Sequence, residues 1–173
     1  MTAMHIRNDF TRRTTRRYAL TVLVLLGLVT GGSACAQSGP LADLDTFPRG
    51  KLQIGVGKKQ IDFDIWVADT PERQSQGLMF VRSLPEQRGM LFVHDSPKPI
   101  GMWMKNTYIP LDMVFIDARG RIQQIVAQTT PHSLETIRSN QPALAVLEIG
   151  GGEARRLGLK PGQHVSHPAF AKR

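Results

Sequence analysis

The segment Trp103-Met104-Lys105-Asn106-Thr107-Tyr108-Ile109-Pro110-Leu111-Asp112 lies between two stretches with the pattern of apolar strands. It brings an indole, an ammonium, an amide and a carboxylate close together in the chain. Pro110 favours an extended or turn conformation just before the second strand. Chemically distinct side chains on a loop held by strands are typical of a site. We therefore expect both the fold and the candidate site to be organised around this segment.

Short strands are predicted on both sides of this segment. Residues 51–56 and 60–67 have the pattern of a hairpin, with Trp66 among the residues of its wet face. Thr70-Pro71 predicts the start of a short helix that ends near Gly77. Further strands are predicted at 90–93, 100–104, 111–116, 121–127, 143–149 and 163–166, with a long loop at 128–142 and a helical turn at 153–157. The fold class is mainly β, a compact single-domain, jelly-roll-like sandwich or barrel with one or two short helices.

The N-terminal 36 residues have the organisation of a secretory signal peptide. Five arginines precede an apolar run over 18–30, and Ala34-Cys35-Ala36 suits cleavage after Ala36. Lipoprotein processing before Cys35 is the alternative, and a partial twin-arginine pattern leaves the export route open. Residues 37–49 are predicted to form a flexible linker, and residues 50–170 the β-rich domain. We expect an exported, periplasmic protein that meets the membrane only through the signal segment or a lipid on Cys35.

Charge and cysteine content exclude two classes of function. Residues 1–36 hold five Arg and one Asp, so their removal leaves 17 basic and 13 acidic side chains, a net charge of +4 instead of +8. These charges are mixed along the chain, whereas nucleic-acid binding needs a clustered basic face. We therefore expect no nucleic-acid partner. We also expect a monomer. Cys35 is the only cysteine, so the domain has neither a disulfide nor a thiol nucleophile.

Several further stretches identify a family. They are residues 72–80 with 82–85, Gly89-Met90-Leu91-Phe92, Trp103 to Asp117, and Val146-Leu147-Glu148 with Gly150-Gly151. Through them the chain from about Gly50 to Pro168 resembles a bacterial and archaeal family named domain of unknown function 192. Met102 is a departure, since the family usually has Phe before the Trp. The resemblance implies a β-rich, jelly-roll-like domain that is often exported, and it implies no activity.

Two acidic residues interrupt apolar strands. Asp112 shares a strand face with Val114, and Glu148 shares one with Val146. A carboxylate on an apolar face is costly unless it is paired or hydrogen-bonded. The cations at 73, 82 and 105 and the amide of Asn106 are the expected partners. Two interpretations stay open, a polar pocket that binds a ligand or does acid–base chemistry, and an ion-pair network that holds loops to the sheet.

The predicted ligand-binding residues are Lys105, Asn106, Asp112, Glu148, Arg73 and Trp103. Lys105 can hold an anionic group, Asn106 can form adaptable hydrogen bonds, and Trp103 can stack on a ring at the rim. The alternative is a turn stabilised by Asn106 and Thr107 beside Pro110, with Trp103 buried.

No metal or cofactor is expected. The histidines are scattered, and no zinc, nucleotide or nucleophile motif is present. Five methionines between 79 and 113 suit an irregular core better than a copper site.

The sequence therefore favours an exported small-ligand binding or accessory module of the cell envelope, with an envelope saccharide or a small anionic molecule as ligand. The alternatives are an envelope hydrolase that uses Asp112 or Glu148 as acid or base, and a purely structural or interaction domain.

Overall fold

The computed structural model describes residues 43–171 of the chain. The predicted signal peptide, Cys35 and the first part of the predicted linker lie outside the described residues. None of the helices between residues 43 and 171 is long and apolar enough to cross a membrane.

Within residues 43–171, nine strands and three short helices follow a 3₁₀ turn at Leu44–Thr46. The strands are β1 (Arg49–Val56), β2 (Lys59–Ala68), β3 (Arg88–Lys98), β4 (Gly101–Met102), β5 (Leu111–Ile116), β6 (Ile122–Val126), β7 (Ile137–Arg138), β8 (Ala143–Gly150) and β9 (Val165–Ser166). The helices are α1 (Pro71–Gln76), α2 (Glu153–Leu157) and α3 (Pro168–Ala171). The prediction of a mainly β domain is confirmed, and residues 43–171 contain three short helices where one or two were expected.

Seven strands form one curled sheet, a half-barrel in the order β6-β5-β8-β3-β2-β1-β9. All neighbours are antiparallel except β2 and β3, which are parallel. The edges of the sheet meet at one end, where Arg121 bridges to His164. Gly120 adopts the left-handed conformation there, and its Cα lies so close to the Val165 carbonyl that a Cβ would be 2.6 Å from that oxygen. The small sheet of β4 and β7 lies beside the segment from Trp103 to Asp112, since β4 ends at Met102.

The large sheet has a hydrophobic core on each face. The inner core contains Phe63, Val114, Leu147 and Ala154 of α2 among its members. The outer core contains Trp66, Met90, Met113 and Val146. Alternation along each strand sends successive residues into different cores, which is why β5 and β8 are buried along almost their full length.

Local predictions agree with the structure where periodicity and caps carry the signal. Thr70 caps α1 by accepting a hydrogen bond from the Arg73 N–H, and Gly77 ends the helix with a φ of 52°. The prediction that Trp66 faces water is wrong, because the outer core covers that face and leaves Trp66 9% exposed. Packing also extends into the predicted linker, since Phe47 is buried in the outer core.

Candidate functional site

A small cavity opens beside Trp103, between α1, β4 and the centre of the large sheet. Trp103, Lys105 and Glu148 line it, so the structure brings together three of the six predicted site residues. Its volume is about 70 Å³. One water needs roughly 10–15 Å³ measured in this way, so the cavity holds a few waters or the head of a small ligand.

Glu148 forms the floor of this cavity. It lies on β8 between Met90 of β3 and Met113 of β5, its direct partners in the sheet. Its side chain is 4% exposed and lines the cavity. Within residues 43–171, Glu148 forms no ion pair with a basic side chain. Burial without a compensating charge raises the pKa of Glu148 to about 8, so the carboxyl is protonated at neutral pH.

The C-terminal half of α1 and the residues that follow it, up to Met79, form one wall of the cavity. The Gln74 side chain donates hydrogen bonds to the carbonyls of Ala68 at 3.3 Å and Val93 at 2.7 Å, which fixes the helix to β2 and β3. Gly77 packs against Phe92, where a Cβ would be 3.0 Å from the ring. The wall is therefore held in place by the sheet rather than by the helix alone.

Trp103 and Lys105 form the rim. Trp103 is 49% exposed, and the Lys105 ammonium lies 5.4 Å from the centre of its ring. The prediction of Trp103 at the rim agrees with this placement. Lys105 forms no ion pair with an acid in the part of the chain that the structure describes. The mouth of the cavity therefore presents an aromatic face and an unneutralised positive charge.

Asp112 does not reach the cavity. Its carboxylate accepts hydrogen bonds from the backbone N–H groups of Gln128, Gly152 and Ala154 at 2.7 to 2.8 Å. It is fully buried on the inner-core face, and it fixes the start of α2 and the loop after β6 to the sheet. The prediction that Asp112 and Glu148 line one pocket is wrong, because they project from opposite faces. Backbone amides, not the predicted cations, are the partners of Asp112.

Arg73 and Asn106 also lie outside the cavity wall. Arg73 forms an ion pair of 2.6 Å with Asp69, and its guanidinium lies over the Phe47 ring. The Asn106 side-chain nitrogen lies 3.8 Å from the Met79 sulfur, and the backbone carbonyl of Asn106 accepts a hydrogen bond from the Phe80 N–H. Both residues shape the surroundings of the cavity without facing it.

Four left-handed residues that are not glycine occur around the segment from Trp103 to Asp112. They are Phe80, Asn106, Gln128 and His132, with φ values of 64°, 56°, 51° and 62°. Such conformations cost free energy and are found preferentially at functional sites. For a bulky residue such as Phe80 the conformation is particularly unusual.

Several cavity-lining residues were missed by the sequence analysis. They are Gln74, Ser75, Gln76, Gly77, Leu78, Met79, Phe92, Gly101, Met102 and Thr107. A sequence signal existed for α1, because all its residues after Pro71 are polar. In the structure none of these residues is buried. No group of three or more His, Cys, Asp or Glu side chains that could hold a metal occurs among residues 43–171.

The comparisons with known proteins agree with the fold. The model of family DUF192, described as uncharacterized ACR, matches residues 53–167, and the chain belongs to this family. A crystal structure from Sinorhizobium meliloti 1021, of a protein described as a proposed transcription regulator, is 35% identical with a TM-score of 0.69, covering 71% of this chain and 96% of that one. A protein of unknown function from Novosphingobium aromaticivorans DSM 12444 is 33% identical with a TM-score of 0.70, covering 79% and 100%. No curated protein matches.

Proposed function

We propose that this protein is an exported small-ligand binding or accessory module of the cell envelope, with its binding pocket beside Trp103. The observation that carries the proposal is the buried Glu148 side chain, which lines the cavity and has no ion-pair partner among residues 43–171. A buried acid with no ion-pair partner among the described residues lowers stability, and proteins tolerate such a cost mainly at functional sites. The exported location rests on the predicted signal peptide.

The shape and charge of the cavity favour a small anionic ligand over a saccharide. A volume of about 70 Å³ is too small to enclose a sugar ring, which could only stack on Trp103. A protonated Glu148 can donate a hydrogen bond to an acceptor without repelling a negative charge. Lys105 at the mouth attracts an anion. A short carboxylate therefore suits both Lys105 at the mouth and the neutral Glu148 inside the cavity.

A thermal-shift titration with acetate, lactate, alanine, phosphate and N-acetylglucosamine tests this proposal. We expect a carboxylate to raise the melting temperature of residues 38–173, with a stabilisation of roughly 2.7 kcal/mol at a hundredfold excess over Kd. Lys105→Met and Trp103→Ala should abolish the shift while leaving the unliganded melting temperature nearly unchanged. Lys58→Met, in the turn between β1 and β2, is the matched control and should bind normally.

Two results would contradict the binding proposal. A large fall in melting temperature for both rim variants would favour a purely structural segment. No shift with any probe would leave the cavity without a ligand of this class. The cavity beside Trp103 is what favours binding over the structural alternative.

The hydrolase alternative now depends on Glu148 alone. A carboxyl with a pKa of about 8 could act as a general acid at neutral pH. Asp112 cannot assist it from the opposite face, since its oxygens already accept three backbone hydrogen bonds. Turnover of an envelope substrate that is lost in Glu148→Gln would favour this alternative. We do not propose a role in transcription regulation, the role in the description of the Sinorhizobium protein, because the mixed charges of this chain do not suit nucleic-acid binding.

A further inference from the structure

The exposed large hydrophobic side chains among residues 43–171 all lie on three loops around the segment that identifies the family. They are Phe80, Trp103 and Leu134, with exposed fractions of 42%, 49% and 68%. We call these three side chains the apolar loop surface. Single exposed apolar residues need no explanation, but three on loops that contact one another indicate an interaction surface.

Backbone hydrogen bonds join the three loops. The Phe80 N–H donates to the Asn106 carbonyl at 2.8 Å, and the Met104 N–H donates to the Ser133 carbonyl at 3.0 Å. These pairs connect the loop of Phe80 to that of Trp103, and the loop of Trp103 to that of Leu134. The apolar side chains are therefore carried by one connected unit rather than by independent loops.

Aromatic rings and cations surround the apolar loop surface. Tyr108 packs edge-on against Phe80, with ring centres 5.7 Å apart. Its ring is tilted by 45° against that of His132, with centres 5.2 Å apart. The Arg82 guanidinium lies 5.0 Å from the Tyr108 ring, as Lys105 lies over Trp103.

Two cations without an ion-pair partner among residues 43–171 lie beside the apolar loop surface. In the described part of the chain neither Arg82 nor Lys105 forms an ion pair. Across loop residues 77–87, 103–110 and 129–136, the acidic residues are Glu86, which forms an ion pair with Arg156, and Glu135. Exposed Trp, Phe and Leu beside unpaired Arg and Lys form the combination that stabilises proteins at the boundary between headgroups and acyl chains.

We propose that the apolar loop surface docks on a membrane that contains anionic lipids. Phe80, Trp103 and Leu134 would enter the interface, and Arg82 and Lys105 would contact the headgroups. This contact is separate from any signal segment or lipid at the N-terminus. It also differs from the proposed ligand site, because Phe80, Arg82 and Leu134 do not line the cavity. Trp103 and Lys105 belong to both, so docking would turn the mouth of the cavity toward the bilayer.

Vesicle co-sedimentation of residues 38–173 tests the proposal. This fragment excludes the apolar segment 18–30 and retains both hydrophobic cores of the described chain. The vesicles contain phosphatidylglycerol and phosphatidylcholine in equal parts, or phosphatidylcholine alone. We expect binding to the anionic vesicles that weakens as salt is raised, and much weaker binding to the neutral ones.

Variants outside the cavity separate this proposal from ligand binding. The double variant Phe80→Asn, Leu134→Ser should weaken vesicle binding about tenfold or more, and Asn suits the left-handed backbone at position 80. Arg82→Gln should weaken it roughly fivefold. Lys58→Gln, on the hairpin turn, is the matched charge control and should bind as the parent does. Melting temperatures establish that each variant is folded.

Three outcomes would overturn membrane docking. They are no sedimentation with anionic vesicles, equal binding to neutral and anionic vesicles, and unchanged binding by the folded double variant. A carboxylate thermal shift that persists in the double variant would show that the cavity works independently. Loss of that shift with intact vesicle binding in Glu148→Leu, which removes the hydrogen-bond donor from the cavity, would show that vesicle binding does not depend on the cavity.

Discussion

Asp112 and Glu148 lie on adjacent strands, one register position apart, and project from opposite faces of the sheet. Asp112 is paired with Ile149 and Met113 with Glu148, so alternation sends the two carboxyls into different cores. Asp112 receives three backbone hydrogen bonds, whereas Glu148 faces a cavity. The first acid therefore stabilises the fold, and the second is the better candidate for function.

Glu148→Gln should make the protein more stable at neutral and alkaline pH. The pKa of Glu148 is raised from 4.5 to about 8, so the folded state keeps its proton where the unfolded chain loses it. Stability from this group is complete below about pH 4.5 and is lost as the pH rises to about 8. The slope reaches about 1.4 kcal/mol per pH unit, and Gln removes it.

Urea unfolding of the parent and Glu148→Gln between pH 4 and 9 measures this difference. The free energies of unfolding should be closest near pH 4.5 and diverge until about pH 8, with the variant more stable. Parallel curves across this range would show that Glu148 does not titrate in the folded protein. Glu148→Leu, which has no hydrogen-bond donor, should lose any carboxylate-induced thermal shift, whereas the Gln amide can still donate to the ligand.

Asp112→Asn should be destabilising by about 2–3 kcal/mol. The Asn side chain has one acceptor oxygen and its nitrogen cannot accept, so at least one of the backbone N–H groups of Gly152, Ala154 and Gln128 is left without an acceptor. The urea midpoint should fall with an unchanged m-value. Ligand binding below the melting transition should persist, since Asp112 does not line the cavity. If Asp112→Asn keeps the stability of the parent but no longer binds the carboxylate, Asp112 takes part in ligand binding and its structural role is contradicted.

Local features of the fold were predictable because their signals lie within a few residues. Thr70 caps the start of α1 and Gly77 ends it, and the alternation of β2 places Phe63 in the inner core. The need of Asp112 for partners was also predictable from its apolar strand. Its actual partners were not, because backbone N–H groups carry no sequence signature.

The grouping of the candidate site depended on strand register, which spacing along the chain does not give. Asp112 and Glu148 are 36 residues apart in sequence, and a shift of one residue between β5 and β8 decides whether they share a face. The cavity wall supplied by α1 also required tertiary contacts, since Gln74 bonds to carbonyls of two different strands. Trp103, Lys105 and Glu148 were nevertheless identified from the sequence and are together in the structure.

Asn106 should matter through its backbone conformation more than through its side chain. Its φ of 56° is left-handed, where Ala costs about 1 kcal/mol or more and Gly is unstrained. Asn106→Ala should therefore lower the free energy of unfolding by about 1 kcal/mol, while Asn106→Gly stays near the parent. If both variants bind a carboxylate normally, the role is conformational. Equal loss of binding in both would assign the amide to the ligand instead.

Gly89→Ala should be strongly destabilising because Gly89 of β3 lies against the backbone of β8 at Glu148. A Cβ at Gly89 would be 2.5 Å from the Glu148 carbonyl oxygen and 3.0 Å from an Ile149 methyl group. The obstacle is backbone in the centre of the sheet, so β3 and β8 must separate, at a cost of about 1–3 kcal/mol. Gly55→Ala on β1 is the matched control, since its nearest neighbour would be 3.9 Å away. Urea unfolding should place Gly55→Ala at or above the parent and Gly89→Ala well below it. Equal stability of the two variants would mean that β3 and β8 are not this close, and the floor of the cavity would then be differently built.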